Sequence, residues 1–574
     1  MNKLKYIIIF LGLTVFSCNE ENWLEEKPYS IYSPENSYET NSNFKQALNY
    51  IYDLIRLWHF TYSDETGGYQ HHLFIGSDVF YHGWPADLEN SINRYDTYIN
   101  STRNHVQKNW SMFYSAISKA NDILAMLETN ASKVSAADKR TFRGEALFFR
   151  AYHYRMLAHI YGDVPIITEM LTVQKNDFTR SPRAEVYKLC QEDLEEAVRL
   201  LDDIDKVDDG RVNKQVAQHI LAEVYISQGN YSKAIEAASA VTDHPATGLM
   251  TERFGTTKDA PGDVFYDLFR FGNQNRSKGN TEGLYVIQYD YNNGSPVARN
   301  LGRYIMPQLR TAMVAGKNAQ GQSVNVPPCP DFNAEDGGRG NGYFPTTHHF
   351  RVGVWASDFN NDIRNSEYNI FRDYRIDNVL ADGHGQWIVK DGWLRDVDTF
   401  TYLYPAVTKF CAFDAYPDNS YAMSNGVRRT TSLGKHILIS SGTLAIGSYK
   451  DEYLIRLSET YLLLAEAYLL NGQKDKAAEA INVVRSRAKA SLATADQMDI
   501  DYILDERIRE LAGEEVRNIT LFRMGQFVRR AKMYSPNKGK YVGDWQNFWP
   551  IPFSETERNT GAILTQNPGY GGEQ

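Results

Sequence analysis

Few residues in this 574-residue chain sit at spacings that could do covalent chemistry. His71-His72 and His348-His349 are adjacent pairs. Adjacent side chains on an extended segment point to opposite faces, so neither pair offers two imidazoles to one metal ion, and both read as loop histidines. "DFNND" (358–362) begins like a calcium loop, yet Ile363 stands where that loop needs its turn glycine and Asn369 where it needs its closing glutamate. HExxH, GxSxG, a P-loop and GxGxxG after a strand are all missing. Carboxylate pairs at glycosidase spacing carry no information, since 71 acids supply them by chance. Cys190, Cys329 and Cys411 follow neither a zinc spacing nor CxxC, and Cys190 reads as a small buried hydrophobe within a helical pattern. The expectation is a chain with no catalytic, metal or cofactor site.

The composition offers contact chemistry instead. With 38 Tyr, 27 Phe and 9 Trp, aromatics make up 13% of the chain, and tyrosine outnumbers phenylalanine. Tyrosine joins an apolar face to a polar tip, which suits a wet surface that must still grip. Sugars have the matching form, an apolar C–H face rimmed by hydroxyls, although tyrosines packed between helices would raise the same count. The formal charge is −10, and −12 without residues 1–17, which hold Lys3 and Lys5 and no acid. A body this acidic, with no basic stripe, repels phosphate backbones and excludes nucleic acid as a partner.

One reactive residue stands near the N-terminus. Lys3 and Lys5 make a positive start, residues 6–16 an apolar stretch too short to span a bilayer, and Ser17 a small residue before Cys18. Val15-Phe16-Ser17-Cys18 resembles a bacterial lipobox, whose cysteine is acylated and becomes the mature N-terminus. The cysteine stands where a simple cleavage site would have two small residues, and the alternative is an ordinary secretory signal with an incidental cysteine. The expected plan is a signal peptide at 1–17, a lipid-anchored linker at 18–41 and a single domain over 42–574. With Cys18 acylated, the other three cysteines allow at most one disulfide.

Two helical blocks, about 105–241 and 450–532, must position any surface site. In the first, Phe142, Ala146, Phe149, His153, Met156 and Ile160 recur at steps of four and three, one face of a helix. Gly162 and Pro165 mark its end. Leu454, Leu457, Tyr461, Leu464 and Tyr468 form a similar stripe in the second block. "LAEVYISQGNYSKAIEAASAV" (221–241) and "LAEAYLLNGQKDKAAEAINVV" (464–484) align without a gap. Each has L-A-E-x-Y, then a glycine (Gly229, Gly472) and an alanine (Ala234, Ala477). Small residues let two antiparallel helices approach, the tyrosine fills the gap and the glycine turns the chain, which is a tetratricopeptide pattern. Between the blocks, about 242–448 is rich in Gly, Asn, Asp and aromatics, with short strand-like runs at 284–289, 387–389 and 436–439. A loop-rich stretch of this length inside a compact protein is functional rather than a linker. The predicted fold is mostly α: a tetratricopeptide-like helical-repeat scaffold with a large irregular insertion containing short strands, then an extended segment over 540–574.

Five segments, in order, resemble the SusD/RagB family of nutrient-binding outer-membrane lipoproteins. They are the lipobox at Cys18, "RGEALFFRAYHYRMLAHIYGDVPII" (143–167), "DEYLIRLSETYLLLAEAYLLNG" (451–472), "ERIRELAGEEVRNITLFRMGQF" (506–527) and "WPIPFSETERNTGAILTQNPGY" (549–570). The resemblance implies four tetratricopeptide-like helix pairs beneath an irregular ligand-binding region. It also implies binding without catalysis: capture of a glycan, or of another nutrient such as peptide, for a SusC-like TonB-dependent outer-membrane transporter on which the protein sits as a lid. Glu20 and Glu21, after Cys18-Asn19, look like the acidic signal that sends such a lipoprotein to the outer cell face. A surface glycoside hydrolase on the same frame is the remaining alternative.

The family shares no fixed binding motif and places ligand contacts in the loop after the first helix and in the insertion. Candidates therefore rest on position and chemistry. Trp84 leads, because Gly83 and Pro85 in "YHGWPAD" (81–87) hold its indole on a loop away from any helix face, with Tyr81 and Asp78 near enough to share its surface. The insertion contributes Trp355, Trp393, Arg372 and Tyr374, rings for stacking on a sugar and a guanidinium for paired bonds to adjacent hydroxyls. Arg150, Arg485 and Arg507 read as frame residues, and Asp505 and Glu506 are spaced to pair with Arg509 along a helix.

Overall fold

The helical periodicity becomes a continuous array in the computed structural model, which describes residues 38–60, 71–83, 93–129, 134–290, 301–394, 402–413, 416–439, 450–535 and 540–571. Helices α1 (Asn41–Phe60), α2 (Asn104–Thr129), α3 (Ala136–Tyr161), α4 (Arg183–Leu200), α5 (Lys214–Ser227) and α6 (Tyr231–Thr242) each pack on the next, except that α1 lies against both α2 and α3. After the insertion come α7 (Leu457–Leu470), α8 (Lys474–Arg487), α9 (Ile500–Leu511), α10 (Arg517–Arg523) and α11 (Phe527–Tyr534). Helix α6 packs directly on α7, so the array runs on past the insertion. The related segments form matching pairs, α5–α6 and α7–α8. Gly229 and Gly472 turn each pair at φ +77°, a conformation that side chains resist, and Ala234 and Ala477 are fully buried.

Helix α3 departs from a one-faced stripe. Ser135 caps it by accepting from the Asp138 N–H, and every residue from Gly144 to Tyr161 is buried. Its neighbours α2, α4 and α10 cover three sides. The C-terminal segment covers more: the Trp549 N–H donates to the Ile160 carbonyl at 2.7 Å, and the Asn567 amide to the Tyr161 carbonyl at 2.8 Å.

The insertion is tied to this frame at its neck. Strand β1 (Gly283–Ile287) runs antiparallel to β8 (Glu452–Arg456), with Gly283 opposite Arg456. Inside it lie three two-stranded ribbons: β2 (Val314–Lys317) with β3 (Ser323–Val326), β4 (Ile370–Phe371) with β5 (Ala406–Val407), and β6 (Met423–Ser424) with β7 (Val427–Arg428). The run at 284–289 supplies most of β1, whereas Trp387, His436 and Leu438 make single bridges only.

A fully buried ion network joins neck and helices. Arg364 reaches Asp362 at 2.7 Å, Glu506 at 2.8 Å and Glu510 at 3.0 Å. Arg456 meets Glu510 at 2.9 Å, and Arg487 meets Glu282 at 3.1 Å. Charges stripped of water survive only with their partners saturated. Burial alone would raise the Glu506 carboxyl, but the Arg364, Arg509 and Arg485 guanidiniums outweigh it and hold it down to about 2. The carboxylates of the "DFNND" loop are engaged in the same way, Asp358 by Arg485 and Ser491 and Asp362 by Arg364. Arg150 and Arg507 are frame residues too, bonded to Asp193 and to Glu459 and Glu515. Glu506 pairs with Arg509 as its spacing predicts, but Asp505 turns instead to His349 and Arg530.

Cys190, Cys329 and Cys411 are buried free thiols. No helix among the described residues is long and apolar enough to cross a membrane.

Candidate functional site

The chain leaving β4 builds an open cleft. The Asp373 carboxylate accepts from the N–H groups of Val389 at 3.1 Å and Lys390 at 2.9 Å. The Ile388 N–H donates to the Tyr374 carbonyl, and the Ile376 N–H to the Gln386 carbonyl. These bonds lace a strap, 385–390, onto 373–376. Lys390 and Asp391, at φ +48° and +65°, turn the chain away after it, a conformation that non-glycine residues adopt at a cost.

The strap presents Trp387. The Arg375 guanidinium lies 4.2 Å over the indole and also donates to the Gly385 carbonyl at 2.8 Å, so the cation is pinned beneath the ring. The indole is nonetheless 46% exposed. It is a backed platform with one face available for stacking.

The cleft in front of it has a volume of about 960 Å³ and is lined by Phe371, Arg372, Tyr374, Arg375, Trp387 and Lys435, among others. Glu367 and Phe371 also line a second hollow of about 530 Å³, walled by Tyr266, Tyr368, Phe413, Tyr421 and Arg428. Phe371 meets Phe413 edge-on at 5.8 Å and Tyr374 edge-on at 5.9 Å. Four basic groups in the cleft (Arg372, Arg375, Lys390, Lys435) face four acidic ones (Asp336, Glu367, Asp373, Asp391), and Lys435 bonds to Asp336 at 2.7 Å. The Tyr374 hydroxyl is buried without a hydrogen-bond partner, and desolvation pushes its pKa well up, so it remains a donor. Rings and balanced charge suit a polyhydroxylated, partly apolar ligand.

The sequence candidates are divided by this geometry. Arg372 and Tyr374 line the cleft. Arg372 also donates to the Arg351 carbonyl at 2.7 Å and lies 4.8 Å over Phe359, and desolvation with Arg351 nearby lowers its pKa to about 9. Trp355 is a core residue instead, 1% exposed, with its indole N–H donating to the Phe350 carbonyl at 2.7 Å. Asp78 is fully buried between Arg517 and Arg530, at 2.8 and 2.7 Å, and has no surface for a ligand. Burial would raise its carboxyl, but those two arginines hold it well below the usual range. Tyr81 is 2% exposed, its N–H bonded to the Pro345 carbonyl, and it lies under the surface. Trp84 and Cys18 fall outside the described residues, and so does the side chain of Trp393, whose backbone forms a short turn (Gly392–Leu394).

The histidine pairs also differ from loop residues. His71 and His72 sit on a one-turn helix (His71–Phe74) and are buried, with His72 stacked on His105 at 3.7 Å. His349 bonds to Asp505 at 2.9 Å and stacks on Tyr534. Sequence reasoning missed Trp387 and Arg375. The signal was present: "DGHGQW" (382–387) places two turn glycines, Gly383 and Gly385, before an indole, as Gly83 does for Trp84.

Known proteins carry the same fold. A SusD family profile matches residues 281–570, and a profile described as starch-binding, associating with outer membrane, matches 22–226. The SusD-like protein P25 of Formosa agariphila is 22% identical, with 98% of each chain covered. A SusD-like protein of Bacteroides ovatus is 26% identical over half of each chain. Among solved structures, a laminarin-binding SusD-like protein superposes with a TM-score of 0.64 at 21% identity, covering 93% of this chain and 100% of its own. Surface glycan-binding protein A of Bacteroides thetaiotaomicron, in complex with laminarihexaose, gives 0.63 at 19% identity, covering 92% and 99%. These superpositions speak for the fold, and with the profile match over half of the sequence the chain belongs to the SusD/RagB family.

Proposed function

We propose that this protein is a cell-surface glycan-binding lipoprotein that captures oligo- or polysaccharide in the insertion cleft and delivers it to a SusC-like TonB-dependent outer-membrane transporter. The observation that carries the reading is Trp387, an indole half exposed at the cleft and backed by a pinned guanidinium. Relatives named for laminarin and laminarihexaose support a glycan as the ligand. Arg372 supplies hydrogen bonds beside the platform, Tyr374 lines the cleft next to it, and Trp84 and Trp393 are proposed as further stacking contacts. Acylation at Cys18 anchors the chain to the outer membrane, Glu20 and Glu21 direct it to the exterior, and the stretch after Cys18 forms a tether that ends before Tyr38, which is buried against Phe44 rather than free as a linker to residue 41 would have it. Binding is the whole task; the glycan leaves unchanged.

A glycan array with the purified chain, followed by calorimetry and product analysis on each hit, tests this. The expected result is binding with the glycan recovered intact. Shorter sugars released from a hit would make the protein a hydrolase, and binding of peptides but no glycan would make it a lid for a different nutrient.

A further inference from the structure

Outside the cleft lining, the backbone gathers three arginines. Segment 337–344 runs back along 302–307: the Asn341 N–H donates to the Arg303 carbonyl at 2.9 Å, Gly342 to Met306 at 3.0 Å and Phe344 to Tyr304 at 2.8 Å. The approach is so close that a Cβ on Gly340 would sit 2.1 Å from the Pro307 carbonyl oxygen. Arg339 is thereby fixed beside Arg303. Phe332 joins them, its ring centre 4.6 Å from the Arg310 guanidinium and 5.5 Å from that of Arg339. Phe332 also packs on the cluster holding Ala334 and Tyr421, and both of those line the second hollow of the site. The arginine patch backs onto the same wall.

Five buried arginines elsewhere in this chain have acids, whereas Arg303 and Arg339 are half-buried and Arg310 is exposed. Arg364, Arg456, Arg487, Arg517 and Arg530 each bond to carboxylates. Among the described residues, Arg303 and Arg310 have no ion pair and no side-chain hydrogen bond, and the Arg303 Nε is buried without a partner. Desolvation, and then the nearby Arg303 and Arg310, push the Arg339 pKa down. In a chain of net charge −10, such gathered cations repel one another at a cost that an oxyanion would relieve. The guanidinium fork matches the paired oxygens of carboxylate and sulfate.

We propose that Arg310 and Arg339, gathered on Phe332, form with the neighbouring Arg303 a subsite for an oxyanion substituent of the captured polysaccharide, a uronate carboxylate or a sulfate ester. The ligand class is then an acidic glycan, its rings held in the cleft and its anionic groups on this patch. This rests on the glycan-binding reading.

Calorimetry on the full chain tests it with a neutral probe (laminarihexaose), a carboxylate probe (an oligoguluronate) and a sulfated galactan oligosaccharide, the last two separating the sources of charge. At least one acidic probe is expected to bind, with an affinity that falls between about 50 and 500 mM salt. The double variant R303Q/R310Q should weaken that binding by about tenfold or more, and its thermal melt should move little, since neither side chain has an ion pair or hydrogen bond among the described residues to lose and Arg310 gives up only its contact with Phe332. Binding of the neutral probe alone, no response to either acidic probe, or an unchanged affinity in the double variant overturns the subsite. Trp387→Ala separates the two claims. If it abolishes binding while R303Q/R310Q does not, the cleft stands and the subsite falls; if only the arginine variant loses the acidic probe, the subsite stands and the cleft reading falls.

Discussion

At Tyr374 a hydroxyl lies in the cleft wall with no partner, while at Asp78 a carboxylate lies in the core with two. The first leaves a donor unspent behind the cleft lining, and the second leaves nothing unspent. Tyr374→Phe should leave glycan affinity within about twofold and should not lower the melt, since the hydroxyl it removes is buried and has no partner to lose. Calorimetry with the cognate glycan checks this, and a loss of about tenfold would show that the hydroxyl reaches the ligand. Asp78→Asn should lower the melt instead. It leaves Arg517 and Arg530 buried and short of charge, at a cost of about 3–5 kcal/mol in chemical denaturation. The sequence shows the charge of Asp78 but not its partners, Arg517 and Arg530, far along the chain. Trp355 misleads for the opposite reason: its N–H finds a carbonyl five residues away, which no pattern announces. Trp387 was missed although its signal is local, an indole two residues after a pair of turn glycines, Gly383 and Gly385.

Elements followed the same division between local and distant causes. Helices α5–α6 and α7–α8 could be read because tyrosine, glycine and alanine sit at fixed spacing within each pair. The ribbons could not, since β4–β5 and β6–β7 are two residues per strand and their register comes from turns and distant bonds. Nor could the ion network, whose members come from β8, α8, α9 and the 282 and 362–364 segments. Glu510 is its centre, touching Arg364, Arg456 and Arg487. Glu510→Gln removes the charge all three share and should destabilise the protein by about 3–5 kcal/mol. Hydrogen exchange should then show β1 and β8 losing protection ahead of α2 and α3. Uniform loss across the helices, or an unchanged melt, would mean that the network does not hold insertion to frame.

For the molecule as a whole, the buried histidines set its response to acid. Burial lowers the pKa of His71, His72, His82, His105, His153, His159 and His219 from 6.5. The values reach about 4 at His82 and His153 and about 3 at His105 and His219. Below pH 6.5 the unfolded chain takes up protons that the folded chain refuses, so stability is full above 6.5 and is lost as pH falls toward the folded values. Each histidine contributes a slope of up to about 1.4 kcal/mol per pH unit. Glu145, Asp193, Asp451, Glu459 and Glu555, raised by burial, oppose this and reduce the slope. Urea midpoints should drop between pH 7.5 and 5, and equal midpoints would contradict it. In cells, Cys18→Ala should release the protein from the outer membrane, and a variant still acylated and membrane-bound would show that the anchor lies elsewhere. The central claim is that the insertion cleft holds a glycan against Trp387. Its most direct measurement is calorimetry of Trp387→Ala with the cognate glycan, paired with a thermal melt. A stacked indole contributes on the order of 1–3 kcal/mol, so affinity should fall by roughly five- to a hundredfold. The melt should stay in place, because a half-exposed ring supports little of the core. Unchanged affinity with an unchanged melt would contradict the account.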